Sequence, residues 1–170
     1  MDNFQKTDPY KLKDNVFQLL DKEWMLITAG NASKLNTMTA SWGSFGVLWK
    51  KPVATIFIRP QRHTLSFVEI SDMFTLSFLY PEHKDKLSYC GKYSGKDVDK
   101  IKETGLKPIF MPSGAITFEQ ARLVIECKKL YTAELKKECF NVPQIAEEIY
   151  PEGDFHHMFI GEITNCYSKI

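Results

Sequence analysis

The sequence has little that a targeting signal, a membrane anchor or a disulfide framework would require. Its first six residues contain no apolar run, so we expect no secretory signal, and no apolar run elsewhere reaches the ~18 residues of a membrane span. Its four cysteines lie far apart and form no Cys-x-x-Cys pair, which favours free thiols in a reducing compartment. These absences predict a cytoplasmic protein that does not bind a membrane.

Charge of either sign is not in excess. The chain carries 22 basic and 21 acidic residues, a net charge of +1, whereas a nucleic-acid groove normally needs a surplus of lysine and arginine. Metal-ligand spacings are also missing, and the adjacent His156 and His157 would point to opposite faces of a strand. We therefore predict neither nucleic-acid binding nor a metal site.

What is present is typical of one globular domain. The chain has 170 residues, of which 44% are hydrophobic and 25% charged. No Gly/Ser-rich or Pro-rich linker divides it, so we predict a single domain over residues 1–170. A chain of this length buries about 70% of its surface and needs no disulfide or metal to fold.

Short stretches of alternating or β-branched residues recur along the chain and predict about seven strands, at 23–29, 37–42, 53–59, 73–79, 115–118, 121–130 and 155–167. Helices are predicted at 64–71, 81–89, 98–104 and 143–150, with Thr64 and Asp97 as N-caps and Gly105 as a C-terminal stop. Strands outnumber helices and do not alternate with them regularly. This order predicts a mainly β fold, a closed antiparallel barrel with helical insertions.

The segment from Arg59 to Thr64 combines two guanidinium groups, an imidazole and a hydroxyl where a strand ends and a helix begins. A helix N-terminus presents unpaired N–H groups, and arginine adds a fork of donors that matches phosphate oxygens. Together they would make a monophosphate site. A solvated loop with an ordinary N-cap remains the alternative.

The strand 37–42 alternates hydroxyl and non-hydroxyl side chains, which places Thr37, Thr39 and Ser41 on one face. Such a strand can offer hydroxyls and backbone groups to the edge of a planar heterocycle, with Trp42 and Trp49 as aromatic surface nearby. The alternative is an ordinary strand whose tryptophans belong to the core.

The segment from Cys90 to Asp97 has two glycines in six residues, which would allow backbone to approach a ligand closely. Lys92 and Lys96 could balance an anion there. The segment is not a P-loop, because Lys96 is followed by Asp97 rather than by serine or threonine. A plain surface turn is the alternative interpretation.

Taken in order, these segments resemble a known family. The resemblance is carried by Asn36-Thr37-Met38-Thr39-Ala40-Ser41-Trp42-Gly43, Trp49-Lys50-Lys51-Pro52, Arg59-Pro60-x-Arg62-His63-Thr64, Ser94-Gly95-Lys96-Asp97 and Gly153-Asp154-x-His156. The pattern looks like the flavin-reductase-like, FMN-binding split-barrel family, which includes flavoredoxin, and it covers roughly residues 15 to 168.

The resemblance implies a six-stranded antiparallel Greek-key split barrel that forms a homodimer, with FMN as cofactor at the dimer interface. The implied cofactor-binding residues fall into three groups. Met38, Thr39, Ala40, Ser41 and Trp42 would line the isoalloxazine ring, Arg59, Pro60, Arg62, His63 and Thr64 would hold the phosphate and ribityl chain, and Cys90, Gly91, Ser94, Gly95 and Lys96 would close the site. His156 would line the active site.

The implied function is an FMN-dependent oxidoreductase that takes hydride from NADH or NADPH and passes electrons to an acceptor. No Gly-x-Gly-x-x-Gly motif is present, so a nicotinamide would stack transiently on the flavin rather than occupy a Rossmann domain. No catalytic acid or base is obligatory, because the flavin carries the redox chemistry. Two alternatives are a non-catalytic FMN-binding electron carrier or flavin store, and a split-barrel relative that binds haem or another planar ligand instead of flavin.

Overall fold

Ten strands and four short α-helices, together with one π-helical segment, Gln18–Glu23, and three 3₁₀ segments, Pro9–Lys11, Pro81–His83 and Lys137–Cys139, make up the fold in the computed structural model, which describes residues 3–170. The strands are β1 Phe4–Thr7, β2 Met25–Gly30, β3 Leu35–Ala40, β4 Gly43–Leu48, β5 Lys51–Ile58, β6 Met73–Leu79, β7 Pro108–Phe110, β8 Ile116–Phe118, β9 Ala121–Glu134 and β10 His157–Lys169. The helices are α1 Thr64–Ile70, α2 Lys84–Lys92, α3 Lys100–Thr104 and α4 Pro143–Ile149. Within the described residues, no helix is long and apolar enough to cross a membrane.

Eight of the strands form one antiparallel sheet, in the order β3-β2-β6-β9-β10-β5-β4, with β1 added to β10. Its two end strands, β3 and β4, are joined by only Ser41 and Trp42. Because two residues span only about 7 Å, the sheet must roll up until its ends meet at that link. The mainly β split-barrel class is thereby confirmed, but the sheet has eight strands rather than the six expected.

The barrel interior holds the main hydrophobic core, which includes Phe74, Phe78 and Phe159 at 1% exposure or less. A second cluster lies outside the barrel, where Leu87 and Cys90 of α2 pack against Leu26 of β2. As a result β2 is buried on both faces, which explains why its sequence is almost continuously apolar.

Several predicted elements need correction at their ends. The strand predicted at 37–42 is β3 at Leu35–Ala40, so Ser41 and Trp42 lie in the link to β4, which the predicted strands omit. The helix predicted at 81–89 is a 3₁₀ turn, Pro81–His83, continued by α2. Gly91 therefore belongs to the last turn of α2 rather than to a loop. Short strands such as β1, with four residues, and β7, with three, are too short to show an alternation that could predict them.

Both predicted N-caps are wrong. Thr64 is the first residue of α1, and its hydroxyl accepts a hydrogen bond from Asn36 Nδ2 at 2.9 Å instead of capping the helix. Asp99, not Asp97, caps α3 by accepting from the Lys102 backbone N–H at 3.1 Å. The predicted stop at Gly105 is confirmed, because its φ of 64° is the left-handed conformation that glycine adopts without strain.

Candidate functional site

A cavity of about 250 Å³ opens where the ends of the rolled sheet meet. We call it the aromatic pocket; it is lined by Met38, Thr39, Ala40, Ser41, Trp42, Phe57, Arg59, Arg62 and His156. Seven of these nine are residues predicted to bind cofactor, and His156 was the predicted lining residue. Phe57 was not predicted, because it lies inside the β5 run and its pattern is that of an ordinary strand residue.

Aromatic rings form the walls of this pocket. The indole of Trp42 is 49% exposed, and its ring centroid lies 5.2 Å from that of His156. Phe57 meets the same imidazole edge-on at 6.4 Å. The pocket therefore presents flat, largely uncharged surface, which suits one face of a planar heterocycle.

His156 is nearly buried, with 7% of its surface exposed, and its Nδ1 lies 2.7 Å from the hydroxyl of Tyr150. Burial first, and then the neighbouring Arg59 charge, lower the pKa of His156 to about 4. The imidazole is consequently neutral at physiological pH, so it can exchange hydrogen bonds with a ligand without adding a charge to the pocket.

Arg59 lines the aromatic pocket, but its guanidinium is already engaged. It donates to the Asp154 carboxylate at 2.5 Å and to the Ile149 carbonyl at 2.9 Å, and it lies 5.2 Å from the centre of the Tyr150 ring. Hydrogen bonds from Gln61 and Arg59 lower the pKa of Asp154, so that carboxylate neutralises the arginine at physiological pH. Arg59 therefore adds little net charge to the site. The neighbouring Pro60, also a predicted site residue, is exposed beyond the end of β5.

Two other cations meet at the C-terminal end of α2. Arg62 donates to the carbonyls of Gly91 at 2.7 Å and Cys90 at 3.3 Å. Lys100, only 4% exposed, donates to the carbonyls of Cys90 and Thr37, both at 2.9 Å. The carbonyls of a helix end carry partial negative charge, which partly compensates for burying these two cations.

Cys90 has a structural role: its carbonyl accepts from Arg62 and Lys100, and its side chain is buried. Its thiol packs in the outer hydrophobic cluster, and burial raises its pKa to about 11. The thiol stays protonated and unreactive at physiological pH, and only the backbone carbonyl of Cys90 meets the cations.

A second cavity of about 550 Å³ adjoins β3 further along the strand. We call it the lysine pocket; it is lined by Ser33, Lys34, Leu35, Asn36, Thr37, Gly95, Lys96, Asp97, Val98, Asp99, Lys100, Ile101 and Pro108. Because residues 35–37 line the lysine pocket and residues 38–40 line the aromatic pocket, the two cavities lie end to end along one strand.

Four cations lie in or next to this pocket, and we call them the cationic cluster: Lys34, Lys96 and Lys100 line it, and Arg62, which lines the aromatic pocket, shares the Cys90 carbonyl with Lys100. In residues 3–170, none of the four forms an ion pair with a carboxylate. Burial and the charges of Lys96, Lys34 and Lys100 lower the pKa of His63, against an opposing effect of Asp97, which favours the neutral ring. Two carboxylates, Asp97 and Asp99, also line the lysine pocket, so the four cations leave a positive excess there, which suits an anion.

The loop at Ser94 to Lys96 rests directly on β3. A Cβ at Gly95 would lie 2.1 Å from Asn36 Oδ1, so only glycine allows this approach. Asn36 in turn bonds Thr64, which ties the loop, β3 and α1 together. Gly91 is less constrained, because a Cβ there would lie 3.4 Å from the side chain of Thr39.

The hydroxyls of Thr37 and Thr39 on the predicted hydroxyl face of β3 are bonded within the protein, although Thr39 and Ser41 also line the aromatic pocket. Thr39 donates to the Leu87 carbonyl at 2.5 Å, and Thr37 is 2.9 Å from the hydroxyl of Thr28. The predicted site residues also omit Lys34, Asn36 and Lys100, although Asn36 begins one of the motifs that carry the resemblance. A lysine at the start of a helix normally indicates a solvated position, so no local signal distinguishes Lys100.

No metal-binding group of three or more histidine, cysteine, aspartate or glutamate side chains occurs in the described part of the chain. The described cysteines are all free thiols, and a reducing compartment stays a prediction.

Comparison with protein families and solved structures gives a consistent result. A family model described as a flavin reductase-like domain matches residues 19–169. No curated protein matches the chain. Similar solved structures include an FMN-binding domain of a flavin reductase-like enzyme from Shewanella baltica OS155, with 18% identity, a TM-score of 0.71, and coverage of 98% of this chain and 78% of that one.

Two further structures are similar in fold. A flavoredoxin from Methanosarcina acetivorans is 23% identical with a TM-score of 0.69, over 96% of this chain and 76% of that one. An NADH:FAD oxidoreductase from Streptomyces globisporus C-1027 is 18% identical with a TM-score of 0.65, over 86% of this chain and 75% of that one. At these identities the likeness concerns the fold.

Proposed function

The chain belongs to the flavin reductase-like domain family, and from that premise we propose that it is an FMN-binding oxidoreductase that takes hydride from NADH or NADPH and passes electrons to an acceptor. The observation that carries this proposal is the pair of cavities along β3. The aromatic pocket presents flat aromatic surface together with Arg59 and Arg62, and the adjoining lysine pocket presents cations that form no ion pair within residues 3–170. A planar ring linked to a phosphate matches that arrangement.

The cationic cluster fits the phosphate end of FMN. A phosphate monoester carries about −1.5 to −2 charges at neutral pH. Arg62 retains guanidinium N–H groups beyond the two that bond α2, and Lys100 has an ammonium N–H beyond its two carbonyl contacts. These donors, with the exposed Lys34 and Lys96, would bind and orient the phosphate.

The aromatic pocket fits the ring end. Trp42 and His156 would pack against the isoalloxazine and shield it from water on one side, while Met38 supplies apolar surface beneath. When bound, FMN would supply the redox chemistry that no side chain here can perform. The protein's part is to hold the ring, exclude water and present hydrogen-bonding groups to its edge.

We also propose that a second copy of the chain completes the site. The aromatic pocket is small, and Trp42 at its rim remains half exposed. On β4 and the turn after it, Val47, Leu48 and Trp49 are also exposed, and Trp49 contacts Tyr131 at 6.3 Å. Exposed apolar surface of this kind marks an interaction site. Sedimentation should give twice the monomer mass, and a monomer would contradict this part of the proposal.

The deciding experiment is the visible spectrum of the protein mixed with FMN and then desalted. Retained flavin absorbance would support a bound cofactor, and anaerobic addition of NADH or NADPH to the same sample should then bleach it. Retained flavin that neither nicotinamide bleaches would favour the electron carrier or flavin store. No retained flavin, together with no detectable affinity in titration, would contradict FMN binding itself.

The lowered pKa of Lys100 predicts how the affinity for FMN depends on pH. Burial and the nearby Arg62 charge lower the pKa of Lys100 to about 8, whereas a bound phosphate would favour its charged form. We therefore expect the Kd for FMN to be constant from about pH 7 to pH 8, where the phosphate is largely a dianion, and to rise above pH 8 by up to tenfold per pH unit. Fluorescence titration measures this, and the Lys100→Met variant should show weaker but flatter binding.

The flavin-free protein should respond to pH in the opposite direction. Because the folded pKa of Lys100 lies below its unfolded value, the unfolded chain binds more protons between the two. Stability should consequently rise as the pH increases from 8 towards 10.5, and Lys100→Met should remove that rise. An FMN affinity that follows the same pH curve in parent and variant would contradict the assignment.

A further inference from the structure

Tyr150 does not line the aromatic pocket but contacts two residues that do, His156 and Arg59, and the proposed function leaves it without a role. It follows α4 directly and is 6% exposed. Phe155 stacks on its ring at 4.7 Å, and Arg59 covers it at 5.2 Å. The ring is therefore held from two sides, so the position of its hydroxyl is well defined.

The hydroxyl of Tyr150 has one hydrogen-bond partner among the described residues, Nδ1 of His156 at 2.7 Å. Burial raises the pKa of Tyr150, so its oxygen keeps its proton at physiological pH. That proton has an acceptor only if Nδ1 of His156 carries a lone pair. If Nδ1 carried the hydrogen instead, the buried hydroxyl proton would be left without a partner, which is costly.

We infer that Tyr150 is a positioning residue: its hydroxyl donates to Nδ1 of His156 and thereby holds the proton of the neutral imidazole on Nε2. Within residues 3–170, Nε2 is neither hydrogen-bonded nor sealed from solvent, and the imidazole lines the aromatic pocket. The pocket therefore presents one fixed hydrogen-bond donor.

A hydrogen-bond donor fixed at Nε2 of His156 restricts which ligand groups can bind next to it. Nε2–H complements a lone pair on the occupant, such as a carbonyl oxygen or an unprotonated ring nitrogen, and disfavours a ligand that places an N–H there. This functional part of the inference rests on the proposed function, since it takes the pocket occupant to be a flavin. The tautomer itself does not depend on any occupant.

The environment of His156 keeps the donor in one state over the physiological range. Arg59 and Asp154 are the charged groups that act on it, and they are paired with each other at 2.5 Å. His157, the neighbouring histidine, contacts Glu69 at 3.8 Å in a separate pair. Neither carboxylate bonds the His156 ring, so Tyr150 alone sets which nitrogen carries the proton.

The first test is nitrogen NMR of the flavin-free protein above neutral pH. The His156 signals should be those of a histidine protonated at Nε2 only, assigned by their loss in His156→Asn. In Tyr150→Phe, which keeps the ring and removes the hydroxyl, the Nδ1 signal should move towards the averaged position shown by the partly exposed His83. The exposed hydroxyl of Tyr131 provides the matched control, and Tyr131→Phe should leave the His156 signals unchanged.

The second test separates the pocket donor from the contact with Tyr150. His156→Asn retains an amide near the Tyr150 hydroxyl but withdraws the donor from the pocket, whereas His156→Gln places its amide nearer the position of Nε2. We expect the Kd for FMN to rise about three- to tenfold in His156→Asn and less in His156→Gln. Equal Kd values in parent and both variants would overturn the pocket-donor role.

The outcomes distinguish this inference from the proposed function. A His156 signal protonated at Nδ1, or one unchanged in Tyr150→Phe, would overturn the role of Tyr150 even if FMN binds tightly. Failure of the protein to bind FMN would instead overturn the proposed function, while the NMR result for the flavin-free protein would still stand.

Discussion

Replacing Gly161 by alanine is expected to lower the free energy of unfolding by about 3 kcal/mol. A Cβ at this position would lie 2.7 Å from Cζ of Phe74 and 2.8 Å from Cβ of Cys127, both in the barrel core. Neither neighbour has free space, because both are at most 1% exposed. Urea unfolding would measure the loss, and thermal unfolding should show a Tm lower by about 10 °C.

Gly46 provides the matched control for this substitution. It lies in β4 with nothing within 4 Å of an added Cβ and without a positive φ. Gly46→Ala should therefore change stability by no more than about 0.5 kcal/mol. If Gly161→Ala is as mild as the control, the close packing inside the barrel is wrong. Combining it with Phe74→Leu, which makes room, should cost less than the sum of the two changes.

The predictable parts of the fold are those where burial follows a simple sequence pattern. The strand predicted at 73–79 coincides with β6, and the strand predicted at 53–59 overlaps β5. Both are rich in apolar or β-branched residues and have clear stops. The link at Ser41 and Trp42 was not predictable, because the residues continue the alternation of β3 and only closure of the barrel ends the strand there.

The site residues that could be predicted are likewise those that lie in a recognisable sequence motif. Trp42 and Arg62 are about 20 positions apart, but each lies in such a motif, so the sequence predicted that both belong to one cofactor site. Lys100 and Tyr150 have none. Their roles arise from the docking of α3 against α2 and of the end of α4 against Arg59, just beyond β5, which are contacts that no local pattern encodes.

The start of α1 shows why an N-cap predicted from sequence can be wrong. A threonine before an apolar run normally indicates an N-cap, and Thr64 satisfies that rule. In the structure its hydroxyl is buried and accepts from Asn36, a partner from β3 that is distant in sequence. A tertiary hydrogen bond thus replaced the local one, and it ties the predicted phosphate segment to the strand along which both pockets lie.

Replacing Arg62 by methionine is expected to raise the Kd for FMN about 100-fold while changing riboflavin binding by no more than about threefold. Riboflavin lacks only the phosphate, so the difference between the two ligands isolates the phosphate contribution. Charge-assisted hydrogen bonds contribute about 1.5–3 kcal/mol each, and the upper part of that range corresponds to a factor of about 100. Fluorescence titration with both flavins measures the two constants.

Arg62 also supports α2 through the Gly91 and Cys90 carbonyls, so its variant will lose some stability whatever its role in binding. Lys129 is the matched control, because it caps α1 in the same way by donating to the carbonyls of Val68 at 2.8 Å and Glu69 at 2.6 Å. Lys129→Met should lose similar stability but bind FMN as the parent does. An equal loss of FMN and riboflavin affinity in Arg62→Met would contradict a phosphate role and leave Arg62 as a support for α2 alone.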